Sequence, residues 1–342
     1  MIFRLKKYIY ALIITCLIIF FSSFSRTVTI DESLPLIASF VKSPAQLHFN
    51  TISYDPSPSG NFLTLTIPMK HAGRLLLIEA NIDGQTGNLV FDTGATDLVL
   101  NKTYFRDYMA ISNENAGGIT GAAGEVNRTI VGKVQISDLF YENVNASIAN
   151  LAHIENRKGI KILGLLGLNM IKKFEMLIDL QKGKLRLTRL DKKGNSMVEN
   201  QALHFDLVHK IKETNNIMLI NANVSGKTLN FCLDTGAESN VLNSYAPKKV
   251  FNSVSIIRRS NLSGAGSQNS EVLLGVMKDF SIGNKKISGM QTIITNLSAL
   301  SDVYGIQIDG MLGYDFFEKG VFCINLAKKE MGICFSKEKE AE

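Results

Sequence analysis

An internal repeat limits the folds open to this chain more than any other feature of its sequence. The segment from Ala80 to Asn101 aligns with that from Ala222 to Asn243 at a constant offset of 142, with 12 of 22 residues identical. Two later segments repeat in the same order, at offsets of 143 and 146. Three ordered matches indicate a duplicated domain, because fixed-period self-similarity marks one structural unit copied along a chain.

Short apolar runs separated by turn residues dominate each copy. In the first copy they are Leu75 to Ile82, Leu89 to Phe91, Leu98 to Leu100, Ile130 to Ile136 and Leu177 to Leu180. Gly, Asn and Asp between such runs are typical of turns that join strands. Only Leu168 to Phe174 and its counterpart, Tyr314 to Lys319, indicate short helices. The sequence therefore predicts a mainly β fold in two duplicated lobes, with one short helix each.

Changes in composition divide the chain into six predicted segments. These are an export signal or anchor (1–25), an N-terminal extension without an assigned role (26–60), a first lobe (61–190), a polar linker (191–200), a second lobe (201–337) and a polar tail (338–342). Each lobe has the usual size of a domain. We refer to 61–190 as the first half and to 201–337 as the second half.

The N-terminus has the order of an export signal. Arg4, Lys6 and Lys7 precede an apolar run from Tyr8 to Phe21, which a small polar stretch follows. The run has about 14 residues, fewer than the roughly 20 that cross a bilayer, so a cleaved signal is favoured and a permanent anchor is the alternative. We expect an exported protein, whether periplasmic, cell-surface or secreted, that contacts a membrane only through this segment.

The charge distribution argues against a nucleic-acid partner. The net charge of +6 includes the three basic residues of the signal, so the exported part carries about +3. No lysine and arginine block with interleaved aromatic residues is present in the sequence. The five histidines do not cluster and no cysteine spacing resembles a zinc site, so no metal is predicted.

Two cysteines near the C-terminus form a candidate disulfide. Cys323 and Cys334 flank the turn from Ala327 to Glu330, and a hairpin centred between Lys328 and Lys329 would place them directly opposite each other. An exported protein can oxidise such a pair. Cross-strand geometry is often strained, so the reduced and oxidised states both stay open.

The tetrapeptide Asp-Thr-Gly-Ala occurs once in each copy, directly after an apolar strand. It comprises Asp92, Thr93, Gly94 and Ala95 in the first half, and Asp234, Thr235, Gly236 and Ala237 in the second. A strand-ending turn would explain one copy, because Asp, Thr and Gly all favour turns. Two copies at matching points of a repeat, each followed by a Gly-rich loop and an apolar-apolar-Gly segment, favour a functional motif.

These residues resemble the aspartic peptidases of retropepsin type. The resemblance rests on the paired tetrapeptides, the Gly-rich loops at 117–124 and 263–266, and the segments Leu165-Leu166-Gly167 and Met311-Leu312-Gly313; it covers about Leu63 to Phe335. It implies a two-lobed aspartic peptidase fold with β-barrel lobes. Neither Gly-rich loop has the tyrosine of pepsin-like flaps, so two retropepsin-like flaps or a differently built lid are expected.

The resemblance also implies the chemistry and the roles of individual residues. Asp92 and Asp234 would form a catalytic dyad, because two close carboxylates cannot both ionise cheaply and so separate an acid from a base. No cofactor is required. The remaining residues of both tetrapeptides would support the site. Two flaps would close on an extended polypeptide substrate; one contains Thr120, Gly121 and Ala122, and the other contains Ser263, Gly264 and Ala265. Asp97 would also contact the substrate, the alternative being a solvated acid in a turn.

The predicted function is therefore an exported aspartic endopeptidase, a monomer that acts as an internal pseudo-dimer. A catalytically silent peptide-binding protein with the same fold is one alternative. A second alternative is that each half forms a site by dimerising with another chain. Differences between the halves, such as Asp97 against Ser239, favour the internal pseudo-dimer.

Overall fold

The computed structural model describes residues 20–21, 55–118, 121–198, 204–263 and 269–336. Most of the signal segment, most of the extension and the polar tail lie outside the described residues, as do the flap residues Thr120, Gly264 and Ala265. Within these ranges, no helix is long and apolar enough to cross a membrane.

Strands dominate both copies of the repeat, and the predicted mainly β fold is confirmed. After β1 (Phe20–Phe21), the first half contains β2 (Thr64–Ala72), β3 (Leu75–Ile82), β4 (Gln85–Phe91), β5 (Leu98–Asn101), β6 (Ser112–Gly118), β7 (Gly121–Ile136), β8 (Leu139–Ala149), β9 (Ile162–Leu166), β10 (Phe174–Asp179) and β11 (Lys184–Arg189). The second half contains β12 (Leu207–Lys210), β13 (Lys212–Thr214), β14 (Ile217–Val224), β15 (Lys227–Leu233), β16 (Asn240–Asn243), β17 (Val254–Ser263), β18 (Asn269–Met277), β19 (Phe280–Ile282), β20 (Lys285–Ile287), β21 (Met290–Thr295), β22 (Gly310–Leu312), β23 (Gly320–Asn325) and β24 (Glu330–Phe335).

Six short helices lie within the described ranges, three in each half. They are α1 (Lys102–Phe105), α2 (Ala152–Lys158), α3 (Leu168–Ile171), α4 (Lys248–Phe251), α5 (Ser298–Tyr304) and α6 (Tyr314–Phe317). The helices expected at Leu168 and Tyr314 are present, but the expectation of one helix in each half is wrong. The other four have only four to seven residues, too few for helical periodicity to show in the sequence.

Two large sheets organise the described strands. The 14-stranded sheet runs from β1 through β6-β7-β8-β5-β9-β4-β3-β2 in the first half, then through β11 and β10 to β23, β24 and β12 of the second half. The other sheet has ten strands, all from the second half. Antiparallel pairing of β10 with β23 joins the halves, with Met176 opposite Ile324. One continuous sheet therefore holds the two copies of the repeat against each other.

Each half has a small buried cluster that includes the alanine of its Asp-Thr-Gly-Ala loop, and most members of one cluster correspond to members of the other. Val90 and Ala95 belong to the cluster of the first half. Cys232 and Ala237, at the same offset of 142 as the loops themselves, belong to that of the second. Cys232 is 1% exposed and occupies the position of Val90, so this cysteine serves as a small buried apolar side chain.

Cys323 and Cys334 lie on one hairpin, formed by β23 and β24, but they are not opposite each other. The strand register pairs Cys323 with Gly332 and Cys334 with Val321. The four-residue turn at 326–329, with Lys329 at a φ of 54°, centres the hairpin one position earlier than the sequence suggested. The predicted direct opposition is wrong, and both thiols are free in the structure.

Candidate active site

The loops that begin at Asp92 and Asp234 are held by the strands beside them. Each Asp follows the last residue of a strand, β4 or β15, that pairs in parallel with β9 or β22. The amide N–H of Asp92 donates to the Leu166 carbonyl at 3.2 Å, and that of Asp234 donates to the Leu312 carbonyl at 3.0 Å. The apolar-apolar-Gly segments thus fix the backbone at both acids.

The glycine of each apolar-apolar-Gly segment allows two backbone segments to touch. A Cβ atom at Gly167 would lie 2.1 Å from the Asp97 carbonyl oxygen, and one at Gly313 would lie 2.5 Å from the Ala237 carbonyl oxygen. Both distances are far shorter than van der Waals contact. Only a residue without a side chain fits there, so these glycines set how closely the strand passes the loop.

The two threonines bind each other's loop in a nearly symmetric set of four hydrogen bonds. The amide N–H of Thr93 donates to Thr235 Oγ1 and that of Thr235 donates to Thr93 Oγ1, each at 3.0 Å. The hydroxyl of Thr93 donates to the Leu233 carbonyl at 3.1 Å, and that of Thr235 donates to the Phe91 carbonyl at 2.8 Å. This threonine bridge lies at the interface of the two halves and joins their loops directly.

Each glycine of the Asp-Thr-Gly loops packs against the carboxyl group of the opposite half. A Cβ atom at Gly94 would lie 2.6 Å from Asp234 Cγ, and one at Gly236 would lie 2.4 Å from Asp92 Cγ. Any side chain at either position would displace the opposite carboxyl. The absence of side chains at these two positions therefore allows Asp92 and Asp234 to lie together.

One oxygen of each carboxyl is fixed by backbone amides. The N–H groups of Gly94 and Ala95 donate to Asp92 Oδ1 at 2.9 and 3.0 Å, and the N–H of Gly236 donates to Asp234 Oδ1 at 2.8 Å. The Oδ2 atoms of both acids are buried and have no hydrogen-bond partner in the part of the chain that the structure describes. Buried polar atoms normally have a partner, so these two oxygens are the ones free to bind a further group.

Burial raises the pKa of both carboxyls. For Asp92, burial and then the negative charge of Asp234 raise the pKa well above its ordinary value. For Asp234, burial raises the pKa to about 6, although hydrogen bonds from Asp92 and from the backbone amides of Gly236, Ala237 and Gly94 lower it. Two such neighbours titrate as a pair, so they share one proton once the pH exceeds the lower of the two pKa values, about 6, and hold two protons below it.

Asp97 is committed to contacts within the first half. Its carboxylate receives Arg128 Nη1 at 2.9 Å on one oxygen and Asn169 Nδ2 at 2.8 Å on the other. Arg128 also donates to Ser147 Oγ at 2.9 Å. The substrate contact that the resemblance implies for Asp97 stays a prediction, and a donor on the substrate would have to share the carboxylate with Arg128 and Asn169.

In the second half, the residues that correspond to Asp97 and Asn169 have the acid at the other of the two positions. Ser239 stands at the position of Asp97, and Asp315 at that of Asn169. Ser239 Oγ donates to Asp315 Oδ2 at 3.0 Å. The cation that neutralises Asp315 comes from the other half, because Arg74 Nη1 lies 2.9 Å from the same oxygen. Arg74 also donates to the Glu238 carbonyl at 3.2 Å.

Helix α2 of the first half contacts the second half beside this site through its last residue. Lys158, its last residue, lies 2.5 Å from Glu238, and both side chains are only 12% exposed. The corresponding helix α5 ends in Tyr304, which is buried, and this burial raises the pKa of its phenol well above the ordinary value. Sequence reasoning missed the roles of Arg74, Arg128 and Lys158, since their partners lie 31 to 241 residues away.

The predicted flap residues lie on a hairpin in each half. In the first flap hairpin, β6 and β7, Gly118 is opposite Gly121, and Ala122 follows on β7. In the second, β17 and β18, Ser263 is opposite Asn269. Each half thus has a hairpin where the sequence predicts a flap. Thr120, Gly264 and Ala265 lie outside the described residues, so the predicted substrate contacts of both flaps stay a prediction.

Three solved structures illustrate the similarity to known folds. An aspartic proteinase from Irpex lacteus is 12% identical, over 81% of this chain and 99% of its own, with a TM-score of 0.49. Basic 7S globulin from soybean is 11% identical over 82% and 96%, with a TM-score of 0.44. A retropepsin-like aspartic protease from Rickettsia conorii is 18% identical over 40% of this chain and 96% of its own, with a TM-score of 0.28.

Family models match each half separately. A model described as gag-polyprotein putative aspartyl protease matches residues 78–173, and one described as aspartyl protease matches residues 220–316. No curated protein sequence matches the chain. Each matched range contains one Asp-Thr-Gly-Ala loop and the apolar-apolar-Gly segment that supports it. The chain therefore belongs to the aspartic peptidases, with one retropepsin-like half on each side of a shared site.

Proposed function

We propose that the protein is an endopeptidase whose Asp92 and Asp234 carboxyls activate one water molecule for attack on a peptide bond. One observation carries the proposal: two buried carboxyls lie together, each with Oδ1 fixed by amides and Oδ2 without a partner among the described residues. A water held by both Oδ2 atoms would satisfy them. The family supports peptidase chemistry in general, and the geometry supports this particular pair as the dyad.

The shared proton gives the pair its acid and its base. The ionised carboxyl takes a proton from the water, whose oxygen bonds to the carbonyl carbon, while the protonated carboxyl donates its proton to the carbonyl oxygen. The resulting tetrahedral diol collapses when the carbon–nitrogen bond breaks: the nitrogen takes the proton from the protonated carboxyl, and one diol hydroxyl gives its proton to the ionised carboxyl as the new carbonyl forms. The products are a carboxylic acid and an amine, and the pair again holds one proton. The raised pKa values let the pair keep this single proton at pH values above about 6.

Substitution of either carboxyl tests the proposal. We expect Asp92→Asn and Asp234→Asn each to lower the rate of peptide cleavage by about 10²- to 10⁴-fold, because each removes one member of the acid and base pair. The assay incubates the protein with a mixed peptide library and identifies products by mass spectrometry. Asp107→Asn is the matched control, since Asp107 has a side chain that is 94% exposed and lies outside the site. Full cleavage by either dyad variant would contradict the proposal.

We further propose that the protein is exported and works as a single chain. The basic and apolar order of residues 1–25 supports export, and the threonine bridge between unlike halves supports an internal pseudo-dimer. N-terminal sequencing of protein recovered from each cell fraction would identify both the compartment and any cleavage site. Sedimentation equilibrium would give the mass of one chain, 37.7 kDa before processing, whereas twice that mass would favour association of two chains.

A further inference from the structure

A cavity of about 500 Å³ opens beside Glu238 and Ser239, four and five residues after Asp234. Ile257 and Arg258 from β17 and Leu274 from β18 form one wall of this cavity. Arg74 of the first half also lines it. The cavity therefore lies between the second Asp-Thr-Gly-Ala loop and the base of the second flap hairpin, with both apolar and charged side chains on its surface.

A β-bulge directs two successive side chains into this cavity. In the register of the second flap hairpin, Ile256 is opposite Gly275 and Arg258 is opposite Leu274, so Ile257 is the extra residue. Neighbouring residues of a regular strand point to opposite faces, whereas a bulge redirects a side chain. Ile257 and Arg258 can both line the cavity because of this irregularity.

The first half has its arginine on the other strand of the flap hairpin. At an offset of 146, Arg128 corresponds to Leu274, and their strand partners, Ser147 and Ile293, correspond at the same offset. The residue opposite Arg128 in the first hairpin is Ser112, in the position of Arg258. The two halves thus differ in which strand carries the guanidinium that faces the loop after Asp-Thr-Gly-Ala.

They also differ in whether the chain neutralises that guanidinium. In the first half Asp97 binds Arg128. In the second half Ser239 replaces the acid, and the nearby carboxylates already have partners: Asp315 binds Arg74, and Glu238 binds Lys158. Arg258 is exposed, and its side chain makes no ion pair or hydrogen bond in the described part of the chain.

We propose that this cavity is a substrate subsite that selects an acidic side chain, on one side of the scissile bond only. The inference rests on the proposed peptidase function. The substrate carboxylate would pair with Arg258 as Asp97 pairs with Arg128 in the first half, and Ile257 and Leu274 would cover its methylene groups. The equivalent position of the first half is occupied by the internal Asp97–Arg128 pair, so acid selection is not repeated there.

Cleavage of a positional peptide library by the full chain tests the subsite. We expect glutamate to exceed glutamine by about fivefold in kcat/KM at one subsite, the upper range for a partly exposed ion pair. Arg258→Gln should remove this preference, and Arg258→Glu should reverse it in favour of lysine. Arg259→Gln, which removes the same charge from the adjacent residue outside the cavity, should keep it. No acidic preference in the native chain, or one that persists in both Arg258 variants, would overturn the proposal.

A binding measurement separates failure of the subsite from failure of the peptidase function. Fluorescence anisotropy of the full chain carrying Asp92→Asn, with peptides that differ only in glutamate or glutamine, requires no catalysis. Tighter binding of the glutamate peptide that depends on Arg258 supports the subsite even if the native chain cleaves nothing, in which case the proposed function fails alone. Cleavage without any acidic preference, and equal binding of both peptides, overturns the subsite and leaves the peptidase function standing.

Discussion

Thr235→Val tests whether the threonine bridge holds the two halves together. Valine resembles threonine in shape but has no hydroxyl. The substitution removes the bond from Thr235 Oγ1 to the Phe91 carbonyl, 2.8 Å long, and the bond from the Thr93 amide to Thr235 Oγ1, 3.0 Å long. The carbonyl of Phe91 and the amide of Thr93 belong to residues that are 0% exposed, so water cannot readily replace the lost partner.

The expected loss of stability follows from these two unsatisfied groups. Leaving one buried donor or acceptor without a partner costs about 1 to 3 kcal/mol, so the free energy of unfolding should fall by about 2 to 6 kcal/mol. That is a large part of the roughly 5 to 15 kcal/mol typical of folded proteins. Thr96→Val is the matched control, because Thr96 is 6% exposed and its hydroxyl has no partner among the described residues. The control should change stability by less than about 0.5 kcal/mol or increase it.

Urea unfolding of the full chain at fixed pH measures both changes. A lower midpoint with an unchanged slope would give the difference in the free energy of unfolding directly. Thr93→Val removes the other two bonds of the bridge and should cost a similar amount. If Thr235→Val destabilises the protein no more than Thr96→Val does, the hydrogen bonds of the bridge are not what holds the halves together.

Three further predictions concern the carboxyl pair. Gly236→Ala should lower kcat by at least about tenfold, because its Cβ would lie 2.4 Å from Asp92 Cγ and displace that carboxyl; steady-state kinetics would measure it. Burial raises the pKa of Asp234 from 3.8 to about 6, so the protonated group stabilises the folded state at low pH and this contribution is lost as the pH rises from about 4 to 6. The urea midpoint of Asp234→Asn should therefore depend less on pH over this window than that of the native chain. Activity should fall as the pH drops below about 6, because the pair then takes up a second proton and no ionised carboxyl remains. Ala95→Ser with Ala237→Ser should move this acidic limb to lower pH, since a hydroxyl that donates to a carboxylate lowers its pKa; an optimum below about pH 3 in the native chain would contradict this reasoning.

The main features of the site could be predicted because they are local and repeated. An acid at the end of an apolar strand, followed by Thr and Gly, occurs twice at one offset, and the structure brings both copies together through Thr93 and Thr235. The apolar-apolar-Gly segments were also visible in the sequence. Their physical role, close contact of Gly167 and Gly313 with the loop backbone, required coordinates.

The charged partners could not be predicted, because they join distant parts of the chain. Arg74 and Asp315 are 241 residues apart, and nothing near either residue indicates the other. One signal was nevertheless present in the alignment of the two copies. Asp97 aligns with Ser239 at an offset of 142, and Asn169 aligns with Asp315 at an offset of 146, so the acid and the neutral residue exchange positions between the copies. The hairpin of Cys323 was misjudged for a different reason, since the conformation of a four-residue turn sets its register.

The pairing of β10 with β23 has a consequence for the order in which a growing chain acquires activity. Met176 pairs with Ile324, which lies 148 residues later in the chain, so β10 cannot pair with β23 until that later segment has been synthesised. Synthesis proceeds from the N-terminus at about 5 to 20 residues per second, so β10 remains an open sheet edge while the second half is made. The sheet that spans both halves, and with it the full support for the site under the proposed function, is therefore complete only after Gly320–Asn325 has been synthesised.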